Sequence, residues 1–350
     1  MTTLTLRLTK GSQLTAQELD DNFVISVGAG TNSYRAGTNA GLTSQGASSV
    51  ALGNQAGMND QLAQSVAIGA EAGRDDQGTL AVAIGDDAGK TTQGAQATAV
   101  GSNAGEITQG TNSVAVGRSA GNSNQAASSV AIGENAGSTS QGSLSVAMGS
   151  GAGQTNQGIN AVAIGQASGN NSQGTFATAV GLGSGTTTQG NYGTAIGNNA
   201  GQTRQGVNST AVGVQAGQTD QGGNAVAVGN GAGNTGQLGN AVALGRSAGQ
   251  TTQGASAVAI GNSAGLTNQG ATGIILSSTG ATINDTTVGH VHLASSAASL
   301  DYTAAAGWSI SNGSVDVVFP STAGTIALTS DIPAATNLLP LNNTWTGTNT

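Results

Sequence analysis

Between residues 48 and 57 the chain reads "SSVALGNQAG", in which Val50 and Leu52 alternate with the small residues Ser49 and Ala51. Alternation with a period of two predicts a short strand, and the glycines at 53 and 57 predict a turn after it. Nearly the same phrase returns as "NSVAVGRSAG" at 112–121 and "SSVAIGENAG" at 128–137. Gly recurs at 37, 53, 69 and every sixteenth residue through 261, fifteen times. A second Gly column, Gly41 to Gly265, and a Gln column, Gln45 to Gln269, are equally unbroken. A period held this long without insertion predicts a solenoid whose coils stack.

Variation among the copies indicates which way each column faces. Ala stands two residues before the first Gly in all fourteen regular copies, from Ala51 to Ala259. Its neighbours are Val or Thr on one side (Val50, Thr98) and Leu, Ile, Val or Met on the other (Leu52, Ile68, Met148). The branched pair is expected to face the coil interior. The Ala face, flanked by Ser49, Ala81 or Gly193, is small throughout, and a second backbone is expected against it. The second strand reads G-x-T-x-Q-G, and the columns beside its Thr (Thr43, Thr91, Thr139, Thr251) accept Asp60, Arg74, Lys90, Glu106 and Arg204. Charges of both signs mark those columns as solvated, so Thr and Gln are expected to point inward or along a protected edge. Identical Gln side chains stacked about 4.8 Å apart can bond to one another as a ladder, which satisfies amides that are costly to bury alone.

Composition narrows the class. Only 7% of the 350 residues are charged and 2% aromatic, with 59 Gly, which does not suit an ordinary globular core. No apolar run approaches the roughly 18 residues of a spanning helix, and "MTTLTLRLTK" lacks the apolar core of a secretory signal. The absence of Cys excludes a disulfide framework and thiol chemistry, and a net charge of −8 is a poor surface for nucleic acid. No G-X-Y period points to collagen.

The phrases "NSVAVG" and "SSVAIG" resemble the head repeat of trimeric bacterial (YadA-like) adhesins, which implies a left-handed parallel β-roll and three chains around an axis. The resemblance covers roughly residues 34 to 272. At the N-terminus, Leu4, Leu6 and Leu8 alternate as a short strand; Thr15 and Glu18 form a capping box, with Leu14 and Leu19 as its staple. The opening "LTLRLTKGSQLTAQELDDNF" resembles the N-terminal segment of tail-fibre and other appendage proteins of tailed phages, and "FPSTAGTIALTSDIPA" resembles a segment of phage tail-fibre chains. The fold expected is all-β: a parallel β-solenoid of fifteen 16-residue coils at residues 34–272, a short α/β attachment segment at 1–33, and a β-rich fibre segment at 273–350. The resemblances imply a homotrimeric virion shaft. Its partners would be tail or baseplate proteins and a glycan or protein of the host surface, without nucleic acid or membrane insertion. A bacterial surface adhesin is the alternative, and it is expected to carry a secretion signal, a heptad stalk and an anchor that this sequence does not show. An ice-binding solenoid is a third reading, disfavoured by an inward Thr column.

Catalysis needs convergent polar groups, and no Ser/His/Asp set, phosphate-cradling loop or basic patch is present, so a non-enzyme is expected. The acidic residues Asp60, Glu71, Asp75, Asp76, Asp86 and Asp87 read as a solvated face offset by Arg74 and Lys90, with weak calcium binding as the alternative. Phe176 and Tyr192 share a column in adjacent coils, a place for mutual packing or for gripping a sugar face. His290 and His292, in "VGHVHLA", share one face if extended. The pair resembles the His-x-His metal sites on the axis of phage spikes, which implies iron or zinc held by six imidazoles from three chains.

Overall fold

The computed structural model describes residues 30–277 and, as backbone, the strands Val291–Ser295, Ala298–Thr303, Gly307–Ser311, Asp316–Phe319 and Ala327–Leu328. Residues 1–29, which hold the expected N-terminal strand and helix, lie outside the described residues. The fold is an all-β parallel β-solenoid of about 15 turns, with no helix among the described residues. The chain divides into two compact units, Met1–Phe176 and Ala177–Thr350.

In each unit a coil is built from two three-residue strands joined by corners. In the first unit, Val130–Ile132 lies parallel between the equivalent strands of the coils before and after it, with Ala131 beside Ala115 and Ala147. The second strand of the coil, as in Ser123–Gln125, stacks the same way, Gln125 lying between Gln109 and Gln141. The second unit repeats the pattern, with Ala211 between Ala195 and Ala227 and Thr203 beside Thr219. The 16-residue period is therefore one full coil, and like residue lies on like.

The interior differs from the expected one. The Ala column is fully buried, as are the Ala56-type column, the Ser49/Ala81 column and every Gln of the Gln45 series. The branched columns, Val50 and Leu52 and their equivalents, lie on the outside of the coil, half-buried or exposed. Size decides this. Three inward columns hold Ala, Ser or Gly, so the coil walls approach too closely for Val or Ile to fit between them. The corner glycines show the same crowding: a Cβ on Gly137 (φ +52°) would lie 2.7 Å from Cδ of Gln141. One on Gly133 (φ +122°) would meet the backbone of Gly149 at 2.8 Å, closer than carbon atoms pack. Both columns thus need glycine for space and for a left-handed backbone.

The Thr column is also reversed from the expectation. Between Thr and Gln of the second strand stands a residue with positive φ, such as Thr92 (55°), Asn156 (53°) or Arg204 (52°). A left-handed residue in the middle of three breaks the period-two alternation, so Gln faces in while Thr faces out. Asn, Asp and Ser occupy many of the left-handed corner positions, where their side chains lower the cost.

The parallel stack extends two strands past residue 272. Ile274 pairs with Val258, and Ile275 takes the inward place of Ala with 1% exposure. The next strand, Val291–Ser295, is still parallel; Ala298–Thr303, Gly307–Ser311, Asp316–Phe319 and Ala327–Leu328 then follow as an antiparallel meander.

Candidate functional site

With the branched residues outside, each coil presents two adjacent apolar columns on the face of its first strand. One column is Val or Thr, half-buried; the other is Ile, Leu, Val or Met. In the first unit Ile84, Met148 and Ile164 retain 37–38% exposure. In the second unit Ile196, Leu244 and Ile260 retain 37–44%. Neither column accepts a charge at any coil. The other outward columns mix polar residues and, in some, ions with scattered apolar ones such as Leu80, Leu144, Ile159 and Val207, so none is apolar at coil after coil as these two are. Within each unit an apolar stripe two columns wide is repeated coil after coil, and a contiguous apolar surface of this kind is what marks an interaction site. This face is the candidate interaction site. Alternation alone did not locate it; the signal lay in the third small column (Ala56, Ala72, Ala88), which limits the width of the interior.

Behind the face runs the Gln ladder that stiffens it. Nε2 of Gln77 donates to Oε1 of Gln93 at 3.1 Å and to the carbonyl of Val66 at 2.8 Å. Each amide thus ties its own coil across the interior, from second strand to first, and ties that coil to the next. The pattern recurs at Gln93, Gln125, Gln141 and Gln157 in the first unit and at Gln189, Gln205, Gln221, Gln237 and Gln253 in the second. Oε1 of Gln45, Gln61 and Gln125 accepts no hydrogen bond among the described residues, so the ladder has gaps before these coils.

Three residues of the acidic cluster, Glu71, Asp75 and Asp87, form an ion-pair network on the outside of the first unit. Arg74 bridges Glu71 (2.6 Å) and Asp75 (2.8 Å), and Lys90 bridges Glu71 (2.8 Å) and Asp87 (3.1 Å). The hydrogen bond from Lys90 holds the Glu71 carboxyl below its usual value. Burial pushes Asp75 up, but hydrogen bonds from Arg74 and Asn59 outweigh it and bring that carboxyl down. Lys90 is raised by its bonds to Glu71 and Asp87. Lys90, seated between Glu71 and Asp87, compensates that stacked pair as the sequence suggested, whereas Asp60 and Asp76 make no ion pair among the described residues. In the second unit Arg204 pairs with Asp220 of the next coil.

Phe176 belongs to the first unit and Tyr192 to the second; both occupy left-handed corners and are about half exposed. His290 lies outside the described residues, and His292 lies in the strand Val291–Ser295, described as backbone, where it stands beside Ile275 and Asp301 in the pairing. Among the described residues no cluster of three or more His, Cys, Asp or Glu is placed to hold a metal. The first coil has a shallow pocket of about 180 Å³ lined by Arg35, Gly37, Asn39, Ala40 and Leu42. Arg35 stands there in the column that Ala fills in later coils, and it donates to the carbonyl of Gly41 at 2.8 Å. In comparison with known proteins, no family model, no curated protein and no solved structure matches the chain.

Proposed function

We propose that this chain is a structural fibre or spike protein of a tailed phage virion, a stiff homotrimeric shaft that supports attachment to a host surface. The observation that carries the reading is the uncharged Val/Ile face on a stack tied together internally by hydrogen-bonded Gln. Such a face is matched in rise and spacing by another copy of the same repeat, and the sequence resemblances at 1–33 and in the last segment point to a virion appendage. Its work on this reading is mechanical: it holds neighbouring segments away from the particle, with residues 1–33 joining tail or baseplate proteins. Antibody against the chain should decorate a tail appendage of intact virions in electron micrographs. Decoration of a bacterial surface in the absence of phage would instead establish the adhesin alternative. The histidines at 290 and 292 belong to this proposal as an axial iron or zinc site.

One observation favours a second reading. The Thr column faces outward, which removes one argument against ice binding but not the lack of a recurring T-x-T pair, and Thr187, Thr203, Thr219, Thr235, Thr251 and Thr267 form an in-register rank. Arg204 and Asp220 beside that rank interrupt its hydroxyl surface. Thermal hysteresis of the purified protein decides between the two; the shaft reading expects none.

A further inference from the structure

We infer that Thr178, Thr194 and Thr210 fix the axial register between copies of this chain. The inference rests on the copy-to-copy reading of the Val/Ile face. A 16-residue repeat presents nearly the same surface at every coil. Two copies apposed along that face would therefore fit almost as well after sliding by one coil, about 4.8 Å, and again after sliding by two. A repeat that assembles in one alignment needs a feature that does not repeat.

The first apolar column supplies it. Val226, Val242 and Val258 continue this column in the second unit, but the three coils before them carry Thr178, Thr194 and Thr210, in direct register with one another and with Val226. Thr has the shape of Val, so the coil is unchanged; what changes is one hydroxyl per coil. None of these three hydroxyls makes a hydrogen bond among the described residues, although an interior hydroxyl close by does, Ser209 Oγ donating to the carbonyl of Gly206 at 2.7 Å. The three side chains are half-buried on the outer face and reach water in the single chain.

Covering the face removes that water. In the aligned assembly the Thr block of one copy meets the Thr block of the next, and facing hydroxyls can bond to each other. After a slide of one coil, a hydroxyl at each end of the block faces Val, desolvated and without a partner; a slide of two coils strands two at each end. The penalty therefore grows with the slide, as a register device requires. A polar residue set into an apolar seam has this role in coiled coils. In the first unit Thr98, between Val82 and Val114, is a single mark of the same kind.

The chain has no Cys, so reporter thiols can be placed cleanly. Full-length chains carrying Leu244→Cys and chains carrying Ile260→Cys are refolded together and treated with a short thiol-to-thiol crosslinker. Mass spectrometry then counts same-coil (244–244, 260–260) against shifted (244–260) products. With native Thr, same-coil products should dominate. In the Thr178→Val/Thr194→Val/Thr210→Val background, which puts into each coil the residue its neighbours already carry, the shifted fraction should rise roughly tenfold. Thr→Ser at the same three places should keep native alignment, since the hydroxyl is retained. An unchanged product ratio in the Val background, with assembly intact, overturns the register inference and leaves the copy-to-copy reading standing. A native chain that sediments as a monomer overturns the copy-to-copy reading, and this inference with it.

Discussion

At the scale of single residues, the interior of this protein is set by what is too large to enter it. In the regular coils Gln is the exception, a long side chain admitted because its amide finds partners both along and across the coil; Ile275 enters only where the regular repeat ends. Gln157 Nε2 donates to the Val146 carbonyl at 2.8 Å and to Gln173 Oε1 at 3.1 Å, while its own Oε1 accepts from Gln141 at 3.2 Å. Gln157→Leu is expected to cost about 1–3 kcal/mol, because it leaves buried polar atoms of the adjoining coils without partners. Urea unfolding at equilibrium measures it. Equal or greater stability in the variant would show that the ladder contributes nothing net. The Gln and Gly columns were legible in the sequence because only one residue type was accepted in fifteen copies. The facing of Thr was not. It depends on the left-handed residue between Thr and Gln, and that position accepts Asp, Thr, Asn, Ser, Arg and Gly alike, a range that reads as mere solvent exposure.

At the scale of the coil, strand alternation predicted the first strand correctly but left its two faces interchangeable, since a period of two does not say which set is inside. Coil width settled that, and width depends on all the inward columns jointly, including Ala56 and its equivalents. The corners and the outer side of the second strand carry most of the charged groups, and in the first unit Lys90 links Asp87 to Glu71 of the coil before it. Glu71 and Asp75, held below their ordinary values, add stability that is fully present above the usual carboxylate range and is lost as pH falls through their lowered values. Lys90, raised, adds stability that is present below the usual lysine range and lost as pH rises past its raised value. The urea midpoint should therefore fall between about pH 6 and about pH 3. In Lys90→Met that fall should be shallower, by less than about 1 kcal/mol, since the pairs are partly solvated. Identical pH profiles for the two proteins would mean that the network is energetically silent.

At the scale of the whole molecule, the same narrowness that expels Val and Ile from the interior creates the surface on which the proposed assembly depends. A wider coil would bury those residues and present a polar exterior; a coil lined by Ala, Ser and Gln has no room for them and must leave them outside. On the proposed reading, association of copies would complete burial that folding of one chain leaves unfinished. Ile164, 38% exposed and stacked on Met148, sits on this face in the first unit. Ile164→Glu puts a carboxylate where assembly would exclude water. Burying an unpaired charge costs several kcal/mol per ion, enough to lower association by orders of magnitude. The coil itself should survive, because the side chain never enters the interior, so the far-ultraviolet circular dichroism of the variant should match the native spectrum. Asn156→Glu, on the outer side of the second strand, serves as the control that adds the same charge elsewhere. Sedimentation equilibrium should find Ile164→Glu monomeric at concentrations where the native chain and Asn156→Glu are trimeric. If Ile164→Glu assembles as tightly as the other two, the Val/Ile face is not where copies meet.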